Sequence, residues 1–394
     1  MPSHSPAPAP TGRGPVRAVL TPDALLRLVL GWVAVGAMAF TAPLLDAALP
    51  PLVLALLLAA IVGVIVVAAG GVVHQAEALA HRLGDPYGTL VLTLSIVVIE
   101  VVLIAAVMLG PGDHTTIARD SVMAVSMIIM NLVLGLCLLL GGLRHGALAL
   151  QRVGTSSYLV MLVALAALAF ALPATLGTGG GYSPVQALVI GALTVLLYVL
   201  FLGRQMGAQA GEFQEVPPHT GRDPMPTRTT DPDRAPLGEV LAAHRGELLV
   251  RTAVLIATVL PIVLLSHHMA GLLDDALARL GAPVALGGVL IAMIVFTPES
   301  ITAVRAALAG EMQRVANLCH GALVSTLALT IPTVLVIGLF ADTPVRLAES
   351  PTNLLLLGVT LAVAAISAAA PRVTALHGGV HLLLFAVYAL ALFS

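Results

Sequence analysis

Lysine is missing from this chain, and all 18 of its basic residues are arginines. Charge of either sign is scarce, at 10% of 394 residues, where soluble domains carry about 25%. That shortage excludes an ordinary water-soluble fold and gives nucleic-acid binding no support. Cysteine is nearly absent as well. Cys137 and Cys319 lie inside apolar stretches without ligand-like spacing, so both read as packed, inert thiols. No HExxH, GxSxG or phosphate-loop motif occurs, which leaves ATP-driven transport and common membrane hydrolysis without a motif and implies no cofactor.

What is present is apolar. Hydrophobic residues make up 59% of the chain and the mean hydropathy is +1.03. They come in blocks of about twenty, the length of helix that crosses a hydrocarbon core roughly 30 Å thick. Strand alternation is not visible, so helices and not a barrel must satisfy the backbone in lipid. The expectation is an all-α polytopic membrane protein with 11 spans: Ala24–Ala48, Leu52–Val73, Gly88–Leu109, Val122–Leu140, Ser157–Leu176 and Val185–Leu202, then Leu248–Ala270, Pro283–Leu308, Val315–Phe340, Asn353–Ala369 and Val373–Phe393.

Arginine placement orients these spans. With a cytoplasmic N-terminus, 15 arginines fall inside and only Arg119, Arg279 and Arg346 outside. That pattern predicts a multi-pass protein of the cell's inner (plasma) membrane. Residues 1–15, rich in Pro, Ser and Ala, read as a disordered cytoplasmic tail, and the Pro-rich stretch 203–246 reads as a cytoplasmic linker. The linker separates a first five-helix unit, residues 52–202, from a second, residues 248–393, with residues 24–48 as an extra N-terminal helix.

An odd number of spans per unit places two similar units in opposite orientations. One pair of segments matches between them. Gly88 stands twelve residues before Glu100 and Gly287 twelve before Glu299, both within apolar runs, and each residue of the pair is 199 positions from its counterpart.

Of 20 acidic residues, only Glu100 and Glu299 lie well inside apolar spans. A carboxylate at that depth costs at least about 2.5 kcal/mol and usually faces a polar cavity or a partner. The inert alternative is a protonated glutamate bonded to one neighbouring helix; the symmetry of the pair argues against it. Oxygen-bearing side chains surround both acids: Thr93 and Ser95 before Glu100, and Thr297, Ser300 and Thr302 around Glu299. Ser126, Asn131, Ser325, Thr326 and Thr330 follow on the next span of each unit. Together they form a set of hard oxygen ligands suited to calcium or sodium. Pro298 should kink the eighth span and free a carbonyl beside Glu299.

Histidine is dispersed. His74 and His81 lie on a polar segment near the second span, where a solvated face is the simpler reading. His377 and His381 in the last span carry a weak signal, and His320, in the ninth, is the candidate for a proton path.

The runs HQAEALAHRLGDPYGTLVLTLSIVVIE, from His74 to Glu100, and TPESITAVRAALAGEMQRVANLCHGALVSTLALTIP, from Thr297 to Pro332, resemble the two α-repeats of bacterial calcium/proton antiporters of the cation/calcium exchanger superfamily. The resemblance implies an inverted-repeat fold in which Glu100 and Glu299 bind the transported cation at the membrane centre. Asn131 and the Ser325-Thr326 pair match the polar positions that complete the site. Some members of the branch exchange sodium or potassium for protons. The family's Gly-Asn-Ala before each glutamate is replaced here by Val97-Val98-Ile99 and Phe296-Thr297-Pro298, which removes amide oxygens from the neighbourhood.

The expected activity is secondary-active exchange of Ca2+ for H+, with Na+ or K+ for H+ as the alternative and a cation channel as a third. The partners are the lipid bilayer and inorganic cations. Two carboxylates in a low-dielectric cavity titrate as a coupled pair, and double ionisation without a cation is costly. A carrier of this kind reorients only when loaded with cation or protons.

Overall fold

A computed structural model describes residues 19–45, 49–83, 97–98, 101, 104–105, 108, 115–207, 209–213, 237–283, 285–341 and 344–393. Helices dominate throughout: α1 (Pro22–Leu45), α2 (Pro51–Leu83), α3 (Ile117–Met127), α4 (Leu134–His145), α5 (Arg152–Ala166), α6 (Leu172–Leu176), α7 (Pro184–Met206), α8 (Leu237–Leu280), α9 (Ala285–Ala309), α10 (Met312–Phe340), α11 (Pro351–Ala369) and α12 (Ala375–Ala391). A π-helical turn, Ile128–Val133, joins α3 to α4 as one span, and a second, Ala167–Ala171, joins α5 to α6. Among the described residues, eight continuous helices are long and apolar enough to cross a membrane; the bent α9 makes nine, and α12 is a shorter apolar helix.

The expected third span, Gly88–Leu109, lies largely outside the described residues. Those that are described in it, including Val97, Ile104 and Met108, are helical. These three are buried at a spacing of seven and four, one face of a helix. The expected tail, residues 1–15, and residues 214–236 of the expected linker are also outside. The remainder of the linker stretch is not irregular: α7 runs to Met206, a 3-10 turn occupies Ala210–Phe213, and α8 already begins at Leu237.

The helices bury small and aliphatic faces inward and turn large apolar residues outward, as lipid requires. Phe40 is 88% exposed and Phe340 89%, values that only a hydrocarbon environment makes inexpensive. The third helix of each unit is the most enclosed. The span Ile117–His145 is 83% buried and Met312–Phe340 67%, so these two form the centre around which the others stand.

Packing between the units is reciprocal. α12, the last helix of the second unit, lies against α4, while α7, the last of the first, lies against α10. α2 pairs with α8, the opening helices of the two units. Such exchange of equivalent contacts is what two units related by a two-fold axis in the membrane plane produce.

The connections separate into two ends. At one, the amide of Arg346 donates to the Thr115 carbonyl (2.9 Å), that of Leu347 donates to the Gly180 carbonyl (2.9 Å), and the Arg279 guanidinium bonds the Leu49 carbonyl at the loop into α2 (2.5 Å). At the other, Leu148 and Val373 exchange backbone hydrogen bonds (2.9 and 2.8 Å) and the Asn317 amide donates to the Phe213 carbonyl (2.6 Å). Gly310, with φ of 86°, makes the tight turn from α9 into α10.

Candidate functional site

α9 is bent by 61° between Leu286–Ile294 and Glu299–Ala309. The physical cause is Pro298, which has no N–H to donate to the carbonyl four residues back. Two hydroxyls brace the bend. Thr297 Oγ1 donates to the Met293 carbonyl (2.7 Å) and Ser300 Oγ to that of Phe296 (2.6 Å). Glu299 therefore opens the second arm of a broken helix. Its Oε2 is sealed from solvent and has no hydrogen-bond partner among the described residues.

α9 packs across the α3 to α4 span and against α10 and α2. Gly288 makes the crossing with α3 close, since a methyl group there would stand 3.1 Å from the Ser121 nitrogen. From α2 comes a residue the sequence reading left in a solvated segment: α2 continues to Leu83, so Glu77 is helical, and its exposed carboxylate acts electrostatically on Glu299. Gln75, two residues away and so on another face of α2, is buried and accepts from Arg251 of α8 (3.0 Å), which is also paired with Glu247 (2.9 Å). Glu100, Thr93 and Ser95 lie outside the described residues.

The other expected ligands are anchored in ways the sequence does not announce. Ser126 Oγ donates to the Val122 carbonyl (2.7 Å), within α3. Ser325 is turned toward α7, where its hydroxyl is 2.9 Å from Tyr198 Oη. Thr326 and Thr330 are fully buried on α10, and Thr330 Oγ1 has no partner among the described residues. No group of three or more His, Cys, Asp or Glu suited to a metal ion occurs among the described residues.

Asn131 sits in the π-helical turn, where one extra residue per turn alters the direction of its side chain. Its amide nitrogen donates to Thr360 Oγ1 (2.8 Å) on α11, and its oxygen lies 3.0 Å from His381 Nδ1 on α12. All three residues are inaccessible to solvent. Thr360 and His381 are thus members of the central polar network that sequence reasoning missed; the His377/His381 spacing was the only signal. His320, the expected proton-path residue, is bonded to the Ala316 carbonyl (2.9 Å) and stacked on Tyr158 at 6.1 Å.

This network makes a prediction. Asn131→Ala strands two buried polar partners and should destabilise the protein by about 1–3 kcal/mol. A residue serving only as a cation ligand would lower transport without that loss. Thermal unfolding of purified Asn131→Ala without added cation separates the two, and an unchanged midpoint would exclude the network role.

Just before the N-terminus of α11, buried Glu349 accepts from the Asn353 amide (2.9 Å) and the Ser350 N–H (2.8 Å). Its other oxygen is 3.7 Å from Arg119, which also pairs with Asp120 at 2.7 Å. Burial raises the Glu349 carboxyl above its ordinary 4.5, despite these hydrogen bonds and Arg119. The folded state then holds this proton more tightly than the unfolded one, so stability falls as pH climbs above 4.5 and through the raised value. Glu349→Gln should therefore be more stable than the parent at pH 8 and indistinguishable from it near pH 4. Unfolding midpoints across that range check this, and a variant less stable at pH 8 would contradict it.

A single family model, described as sodium/calcium exchanger protein, matches this chain in two segments, residues 53–207 and 250–394. The chain is 31% identical over 352 residues to the sodium-potassium/proton antiporter ChaA of Escherichia coli (strain K12), spanning 87% of this chain and 90% of that protein. It is 38% identical over 321 residues to the putative ionic transporter y4hA of Sinorhizobium fredii (strain NBRC 101917 / NGR234), spanning 81% and 83%. Its fold is similar to that of native YfkE, with a TM-score of 0.69 at 17% identity over 93% of this chain and 99% of the other. The H+/Ca2+ exchanger CAX gives 0.62 at 16% identity over 94% and 89%. These matches settle the kinship: the chain, with its broken α9, is a multi-pass membrane protein that belongs to the sodium/calcium exchanger family.

Proposed function

We propose that the chain is a proton-coupled cation antiporter of the cytoplasmic membrane, with its N-terminus inside and Glu299 and Glu100 as the groups that exchange cation for proton. The observation that carries the reading is the Glu299 carboxylate, with one oxygen buried and without a hydrogen-bond partner among the described residues, at the break of α9. A buried acceptor left unpaired is expensive unless a proton or a cation satisfies it. Glu77 adds negative charge within reach of Glu299 and would draw cations toward it.

Sodium and potassium are the favoured cargo. The similarity to a sodium-potassium/proton antiporter spans 87% of the chain. The residues before each glutamate offer no amide oxygens, Ser300 and Thr297 are engaged with their own helix, and Ca2+ demands six to eight oxygens, roughly. Calcium is the second reading, favoured by the match between two carboxylates and a divalent charge.

Purified protein in vesicles with an imposed pH gradient tests both. Proton movement that depends on Na+ or K+ supports the first reading, and dependence on Ca2+ alone supports the second. Electrogenic cation flux with no proton coupling would replace antiport with a channel.

A further inference from the structure

α5 and α11, the fourth helices of the two units, lie side by side and leave between them a groove of about 650 Å3. Its lining is almost entirely aliphatic. Val160 and Ala164 of α5 face Ala365 and Ala368 of α11, with Arg152 and Ser156 toward one end. Val160 is 70% exposed, so the groove opens on the surface that meets lipid. From Arg152 to Val163, at 1.5 Å per residue, it extends roughly 16 Å, the hydrocarbon depth of one leaflet.

The charged end is composed differently. Arg152 lines it, is exposed, and has neither ion pair nor hydrogen bond among the described residues. Arg372, likewise exposed and unpaired among them, stands one residue before Val373, whose backbone bonds to Leu148 bring the turn after α11 beside the entry to α5. Two cations without counter-charges among the described residues thus stand at one end of an apolar channel of leaflet depth, Arg152 in its lining and Arg372 in the adjoining turn. This is the side that arginine placement assigns to the cytoplasm.

We propose that the groove between α5 and α11 is a binding site for one anionic glycerophospholipid of the bilayer, with an acyl chain against Ala164, Ala365 and Ala368 and the phosphate group against Arg152 and Arg372. The small side chains give the chain its space and the unpaired guanidinium groups choose the headgroup. The site is separate from the exchange site and does not depend on which cation is carried.

The experiment uses the full chain, purified and delipidated in detergent, titrated with phosphatidylglycerol or phosphatidylcholine and followed by native mass spectrometry. Tighter binding of phosphatidylglycerol is expected, weakened roughly thirtyfold in an Arg152→Gln, Arg372→Gln double variant. The corresponding Lys variants keep the charge and should keep most of the preference. Ala365→Phe, which fills the exposed groove and leaves both arginines in place, should lose the bound lipid; this variant carries the test if the double variant cannot be purified. Equal binding of the two lipids, an unchanged preference in the Gln variant, or full retention by Ala365→Phe would each overturn the proposal. So would a delipidated protein that closes the groove with a second copy of itself and takes up no lipid.

Discussion

Glu299→Gln is expected to abolish cation-dependent proton movement in vesicles, lowering its rate by about two orders of magnitude or more, the scale on which loss of a proton-transferring group acts elsewhere. The substitution preserves size and leaves α9 and its bend intact. It replaces an oxygen that can bind a proton or a cation with an amide that holds neither as a charge-neutralising partner. Insertion should not suffer, because a neutral amide is cheaper to bury than an ionised acid. Glu299→Asp should keep some activity at weaker apparent affinity, since its oxygens are withdrawn by one methylene. If Glu100 shares the site, the double Gln variant should transport no worse than either single variant, the non-additivity of groups acting as a unit. A Glu299→Gln protein exchanging at the parental rate would place the site elsewhere.

The second large effect is structural. A side chain added at Gly378 on α12 would overlap the backbone nitrogen of Leu139 on α4, and one at Gly142 would overlap that of Ala375. At Gly135 it would come within 3.0 Å of His381 Cβ. The two helices cross with backbones nearly touching, a contact that only missing side chains permit. Gly378→Leu should cost about 3 kcal/mol or more, the upper range of overpacking, and carry His381 away from Asn131. Its neighbour is the control. Gly379 has open space around it, so Gly379→Ala should be neutral or gain up to about 1 kcal/mol from helix propensity. Unfolding midpoints of the two variants decide the matter, and equal stability would refute the tight crossing.

The order of the described spans was legible because lipid imposes a rigid length rule on apolar segments. The bend of α9 was legible too, since Pro298 acts on its own backbone within one turn. Helix ends were harder. α2 and α8 continue beyond the hydrocarbon as polar helices, held by contacts such as Arg251 to Gln75, and hydropathy is blind to that continuation. The partners of Asn131 are 229 and 250 residues away, so no local pattern could pair it with Thr360 and His381. The π-helical turn that directs Asn131 is a matter of packing and leaves no mark on composition.

The reciprocal packing of α7 on α10 and α12 on α4 also governs how the chain is made. α7 is complete at Met206, yet its partner α10 begins only at Met312. At the usual pace of synthesis α7 waits roughly 5 to 20 s in the bilayer with its inner face unmet. The first unit is therefore inserted before it is finished, and α12, made about 230 residues after α4, closes the first unit's core as well as its own.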